Sequence, residues 1–315
     1  MTTQIDLAVY AAAKETAVLV DRSSLGMLKI SGATRLDLID RMSTQAVKRL
    51  QSGEGRATIL TTDIGRIIDR LILYTSSDTV YALTSENHAD PIARYLMRYV
   101  FFNDDFHLSD ISAETAVFAV YGPQASTKLA AAGFSETDLP LHHWRQATVG
   151  GVRAYLHRTD PINGDGYFVM CQTSDRDALW SHLVGSGLPV ADEAAFELLR
   201  IENGRPRFGR ELTLDYIPLE ANLWDDISFS KGCYVGQEII ARMDSRGKLA
   251  KKLLRLRAAA PIAVGGEVLA DGKKVGTVTS AAMGPDGAVA LGYVRTGAEN
   301  GRLTVNEAVV TVVGE

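Results

Sequence analysis

The sequence predicts an α+β protein built from antiparallel sheets, with a small β-barrel at its C-terminal end. Three patterns carry this expectation. Residues 57–62, 67–74 and 79–84 are β-prone runs separated by Asp63-Ile64-Gly65 and Ser76-Ser77-Asp78, which reads as a meander whose strands pair in order. Residues 193–203 place Phe196, Leu198, Leu199 and Ile201 on one side of a helix. From residue 249 onward, short β-prone runs alternate with glycine-rich breaks, a spacing that suits a closed barrel of about 65 residues.

The chain has 315 residues, about twice the length of a common single domain, so two or three well-formed cores are expected. Residues 1–140 and 141–247 are read as two interleaved α+β domains and residues 248–315 as the barrel. In chain order, residues 17–21 and 27–30 are short apolar runs around Arg22-Ser23-Ser24-Leu25-Gly26, predicted to form a hairpin. Thr34 and Asp37 resemble a capping box ahead of Leu36, Ile39 and Met42, which give the following helix an apolar side. Pro91 fits the first turn of a helix reaching about residue 100. Strands are expected at 116–121, 152–157 and 167–172, with helices near 124–132 and 175–184. The helix at 193–203 stops at Gly204, and Pro206 follows it. Periodicity then disappears from 205 to about 231. A long irregular stretch in a compact protein is often functional, so the site is sought there. Barrel strands are expected at 253–256, 267–269, 275–279, 289–294 and 303–313.

Composition narrows the function. The N-terminus lacks the basic start and apolar centre of a signal peptide, and no run of about eighteen apolar residues occurs. A cytoplasmic protein without a membrane anchor is expected. Its two cysteines, Cys171 and Cys233, are far apart and have no metal-type spacing, His142 and His143 are adjacent and so point differently, and the other four histidines are scattered. No metal site is predicted, and two distant thiols do not hold a stable iron–sulfur cluster. A net charge of −5 argues against a dedicated nucleic-acid binder and favours small-molecule or protein partners.

The segment 231–238 reads K-G-C-Y-V-G-Q-E. Cys233 lies between Gly232 and Gly236, residues that permit positive φ or close backbone approach, and Lys231 is near enough in sequence to stabilise a thiolate. These residues resemble the signature of the folate-binding iron–sulfur cluster maturation proteins of the YgfZ type, relatives of the glycine-cleavage T-protein, and all seven fixed positions match. The similarity extends to residues 199–206 and 218–223, and to the meander around Gly53-Glu54-Gly55 and Gly65-Arg66-Ile67-Ile68-Asp69.

The resemblance implies three domains in a ring around a tetrahydrofolate pocket, in a monomer that supports assembly or repair of clusters on iron–sulfur enzymes or with cluster assembly proteins. It assigns Cys233 as redox contact or transient ligand. A carboxylate that reads the adjacent N–H and NH₂ donors of a reduced pterin is implied at Glu202. The anionic tail of folate, or of a one-carbon derivative, is assigned to Lys231 first and Arg242 second, with Arg246 also near the motif. Tyr74, Tyr81, Tyr216 and Tyr234 are candidate ring contacts. The alternative is aminomethyl transfer to tetrahydrofolate. T-proteins carry an Asp-Asp pair on the meander where this chain has Asp69-Arg70, so a carboxylate is replaced by a fixed cation and Asp69 is left as the candidate catalytic acid.

Overall fold

The computed structural model describes residues 5–314. The chain begins α1 (Leu7–Glu15), β1 (Val18–Asp21), β2 (Leu25–Ser31), α2 (Arg35–Met42), β3 (Gly55–Thr61), β4 (Ile67–Thr75), β5 (Thr79–Glu86), α3 (Ala89–Met97), β6 (His107–Asp110) and β7 (Thr115–Gly122). It continues through α4 (Ala125–Ala131), β8 (Trp144–Val149), β9 (Val152–Arg158), β10 (Asp165–Gln172), α5 (Arg176–Gly185) and α6 (Glu193–Glu202). After a long irregular stretch come α7 (Gln237–Arg246) and the strands β11 (Lys251–Ala258), β12 (Glu267–Ala270), β13 (Lys273–Gly284), β14 (Gly287–Arg295), β15 (Leu303–Val305) and β16 (Ala308–Val312).

Two five-stranded sheets, ordered β3-β4-β5-β2-β6 and β1-β7-β10-β9-β8, face each other, and β11-β14-β13-β12-β15-β16 close into a barrel. Strand alternation explains the layering. On β4, Leu71 and Leu73 point outward into a core shared with Leu38 and Ile39 of α2 and Ile92 of α3. Ile72 and Tyr74 point inward, against Ala119, Phe168 and Met170 of the other sheet. The second sheet buries its outer face beneath Leu129 of α4 and Leu179 and Leu183 of α5. The meander forms as the β-prone runs predict, and the barrel closes with six strands rather than five, because the run 303–313 turns back at Asn306 and Glu307, both at positive φ, and pairs with itself as β15 and β16.

Helix α6 ties these layers together. Asp192 caps it by accepting from the Ala195 amide at 2.8 Å. Phe196 and Leu199 enter the inter-sheet core, while Leu198 and Ile201 pack on Leu291 and Tyr293 of the barrel. Arg200 is buried, donates to both oxygens of Glu197, and reaches Glu211 at 3.0 Å and Ser280 at 2.6 Å. One guanidinium thus pins helix, irregular segment and barrel to each other.

Two local expectations are corrected. The runs around Arg22 are not a hairpin: β1 pairs with β7, and β2 pairs with β5 and β6, so the chain crosses from one sheet to the other there. Hydrophobic pattern identifies strands but not their partners. The capping box is absent, because Thr34 donates to the Asp105 carbonyl and Asp37 is occupied by Arg41 and Lys48. Helices α1 and α7 and the strands β6 and β8 are not anticipated from sequence. Among the described residues, no helix is long and apolar enough to cross a membrane.

Candidate functional site

At one end of the seam between the two sheets lies a cavity of about 210 Å³. Inward positions of four strands supply apolar wall, namely Leu25, Ile72, Leu83 and Phe168, and Phe196 of α6 adds a ring. The irregular segment closes it with residues 205–208, Leu212, Asn222, Leu223, Asp225 and Asp226. The stretch without periodicity is therefore one wall of the site, held there by Arg200.

The charges in this cavity are arranged in pairs. Arg70 donates from Nε to Asp226 at 2.6 Å and from a terminal nitrogen to Asp160 at 2.7 Å. Burial would raise the Asp160 carboxyl, but Arg70, His142 and Arg205 outweigh it and hold that group well below the carboxylate range. Glu86 is bound by Arg22 at 2.6 Å and Arg207 at 2.9 Å. Burial opposes ionisation there too, and the two guanidinium groups overcome it. Arg22 lies over the Phe196 ring at 4.1 Å, and its Nε has no partner. Near the same cluster, burial pushes His142 down to about 4, so its imidazole is neutral at pH 7 and its Nδ1 is unpaired.

The residues singled out from sequence fall in different places. Asp69 shares the outward face of β4 with Leu71 and Leu73. It is fully buried, accepts from the amides of Arg70 and Ser85 and the Ser85 hydroxyl, and lies 3.1 Å from His88 Nδ1. Its neighbour Arg70 faces the cavity, so strand parity turns the expected catalytic acid away from it. Glu202 is also outside: Tyr10 donates to it at 2.8 Å and Lys14 pairs with it at 2.6 Å, tying α6 to α1. The cavity's carboxylates are instead Glu86, Asp160, Asp225 and Asp226.

Lys231 also differs from expectation. Its ammonium donates to the carbonyls of Asp40, Ser43 and Gln45, two of them at 2.9 Å, and its side chain is 3% exposed. Those bonds use its three donors, leaving none for a ligand tail or a thiolate. Tyr234 is buried with Ile217, Leu219 and Ile240 beside the Lys231 ammonium, and burial pushes its hydroxyl up to about 12. Arg242 pairs with Glu238 on the surface of α7, and Arg246 is exposed. Tyr216 stacks on Tyr293 of the barrel, with centroids 3.4 Å apart. Tyr74 and Tyr81 line a second cavity at the other end of the seam.

Cys233 is exposed, with a free thiol. Its loop is anchored on both sides: Lys231 grips the 40–45 turn, and Thr61 donates to the Val235 carbonyl at 2.7 Å. Gly236 has φ 84°, and a Cβ there would meet the Thr62 carbonyl at 2.5 Å. Gly232 has open space around it, so Gly236 alone of the two flanking glycines is sterically required. Sequence reasoning missed Arg22, Glu86, Asp160 and Asp226 because each reaches the cavity from a different element.

A layered pair of antiparallel sheets, joined through one helix to a six-stranded barrel around a charged central cavity, defines the class of protein. The GCVT N-terminal domain matches residues 5–231, and the glycine cleavage T-protein C-terminal barrel domain matches residues 251–310. The chain belongs to the glycine-cleavage T-protein family. It is 30% identical over 303 residues to a chloroplastic protein of Arabidopsis thaliana named as a transferase, covering 95% of this chain and 70% of the relative. It is 30% identical over 309 residues to an aminomethyltransferase of Symbiobacterium thermophilum, covering 90% of this chain and 80% of that one. The crystal structure of the glycine cleavage system aminomethyltransferase T from Bartonella henselae superposes with a TM-score of 0.86, at 22% identity, over 98% of this chain and 88% of that one, which establishes the fold.

Proposed function

We propose that this protein binds tetrahydrofolate, or a one-carbon derivative, in the central cavity and supports assembly or repair of iron–sulfur clusters in other enzymes through Cys233. The observation that carries this reading is a division of labour. The cavity has a cation, Arg70, where aminomethyl transfer wants a second meander carboxylate, and Asp69 faces away. The thiol is exposed on an anchored loop, where a second protein can reach it.

The cavity's residues fit a reduced folate. Apolar side chains from both sheets suit the faces of a pterin, and Asp160 or Asp225 would accept its N–H and NH₂ donors. The unpaired Nε of Arg22 is a donor without a protein acceptor, and the half-buried Arg205 would meet the anionic tail. Bound folate would supply one-carbon carriage. The chain's own residues would orient it and keep Asp160 ionised. On this reading the protein acts in the cytoplasm as a monomer, with iron–sulfur enzymes or cluster assembly proteins as partners.

Calorimetry with tetrahydrofolate tests the ligand, and the absence of both heat and a thermal shift at millimolar concentration would sink it. Complementation of a deletion strain tests the thiol. Cys233→Ala should fail to restore cluster-dependent enzyme activities, and full restoration would remove Cys233 from the function. Methylene-tetrahydrofolate formed from an aminomethyl-loaded carrier protein would instead establish T-protein turnover.

A further inference from the structure

The second cavity, about 160 Å³, lies between the same two sheets as the first. It is built from the next inward position of each strand: Met27 follows Leu25, Tyr74 follows Ile72, Tyr81 precedes Leu83 and Met170 follows Phe168. Its walls are aromatic. Trp144 and Tyr155 of β8 and β9 stand 5.8 Å apart at 59°, Trp144 stacks on His157 at 5.9 Å and 21°, and Tyr74 meets His157 edge-on at 4.0 Å. Tyr81, Trp144 and Tyr155 are half-buried, so their rings border the cavity and reach solvent at its mouth.

The paired charges of the first cavity are missing here. Among the described residues that line it, none is a lysine or arginine, and Glu114, exposed at the mouth, is the one carboxylate. His157 is uncharged at neutral pH, because burial pushes it down to about 3, and its Nδ1 has no hydrogen-bond partner. Cys171 is held as the thiol, pushed up to about 11 by burial and by Asp175. Aromatic faces, thioethers and one carboxylate form an environment that attracts a soft cation and repels an anion. A solvated metal ion does not fit it, since no group of three histidine, cysteine or acidic side chains suited to a metal occurs among the described residues.

We propose that this cavity is a binding site for a small organic cation of the alkylammonium class, held between Tyr81, Trp144 and Tyr155 with Glu114 at its mouth. The central cavity sets five arginines among four carboxylates, which suits the polar, anionic-tailed ligand proposed for it. The two sites therefore differ in the chemistry they offer a ligand. Each ring face donates no hydrogen bond and asks for none, so a nitrogen shielded by methyl groups satisfies it better than a primary ammonium, whose N–H donors would be stripped of water.

The experiment uses the full chain and two probes of one shape, choline and its uncharged isostere 3,3-dimethylbutan-1-ol, titrated by calorimetry and followed by tryptophan fluorescence. Choline should bind about tenfold more tightly than the alcohol, because the ring faces reward the charge. Tyr155→Leu should reduce the preference to about threefold, and the conservative Glu114→Gln at the exposed mouth should weaken choline about threefold without altering the fold. Equal affinity for the two probes would overturn the cation reading, as would no binding of choline. Choline binding unchanged in both variants would overturn the location.

Discussion

Replacing Lys231 with methionine isolates what the Cys233 loop depends on. Methionine keeps much of the unbranched volume of the side chain but removes the ammonium, leaving the carbonyls of Asp40, Ser43 and Gln45 without their donor. Hydrogen bonds to a charged group contribute about 1.5–3 kcal/mol each. Three such bonds share one nitrogen, and burying that nitrogen carries its own cost: desolvation lowers the Lys231 ammonium below its usual range despite Asp40. The net loss should therefore be nearer one and a half bonds than three, about 3 kcal/mol. Thermal unfolding should show a fall of about 6–12 °C. Amide exchange should quicken in residues 40–47 and 228–236, and tetrahydrofolate affinity should be unchanged. The reverse outcome, stability within about 0.5 kcal/mol of the parent and weakened folate binding, would show that the ammonium serves a ligand and would refute the clasp.

Gly236→Ala should destabilise by about 2 kcal/mol or more, since its Cβ would press on the Thr62 carbonyl at positive φ, whereas Gly232→Ala should be neutral or slightly stabilising; similar urea midpoints for the two would refute the steric distinction. His142 and His157 are pushed down to about 4 and about 3 in the folded chain, while unfolded histidine titrates near 6.5. Their contribution is complete above pH 6.5 and is lost as pH falls towards those values, about 2 kcal/mol each at pH 5. The stability difference between pH 7 and pH 5 should shrink by about that amount in His157→Phe, and an unchanged difference would contradict the assignment. Arg70→Met should cost about 3–5 kcal/mol by leaving Asp160 and Asp226 uncompensated, and should raise the Asp160 carboxyl on NMR titration; Arg70→Lys should cost less, losing the forked geometry but keeping the charge.

Much of the layered fold is written in local pattern. The meander, α3, α4, α5, α6 and the barrel strands follow from runs of β-branched residues, helical spacing and punctuating glycines, because each signal is confined to a few neighbouring residues. Partnership is a different matter. Nothing near Val18 or Met27 records that their strands belong to opposite sheets, since the partners of β1 and β2 are dozens of residues away. The site divides in the same manner. The irregular stretch was legible as the place to look for the site, and Cys233 as a thiol on a glycine-flanked turn, but that thiol is exposed and is not among the residues lining the cavity it was expected to face. Asp69 and Glu202 lie off this cavity, and a motif gives residue identity without facing: one step along β4 separates Arg70, in the cavity, from Asp69 behind it. Lys231 misled through proximity, being close to Cys233 in sequence while its side chain turns to the 40–45 turn.

The alternation of inward residues along the seam has a thermodynamic consequence. Leu25 and Met27, Ile72 and Tyr74, Leu83 and Tyr81, and Phe168 and Met170 are pairs on single strands, and each pair contributes one member to either cavity. Two residues of strand span about 7 Å, so the volumes are separated by shared backbone rather than by an independent layer. Any change in sheet spacing that one solute imposes is therefore imposed on the other's site as well. By linkage, the factor by which an occupant of the first cavity alters affinity at the second must equal the factor measured in the opposite direction, and a factor of one would mean that the seam is rigid.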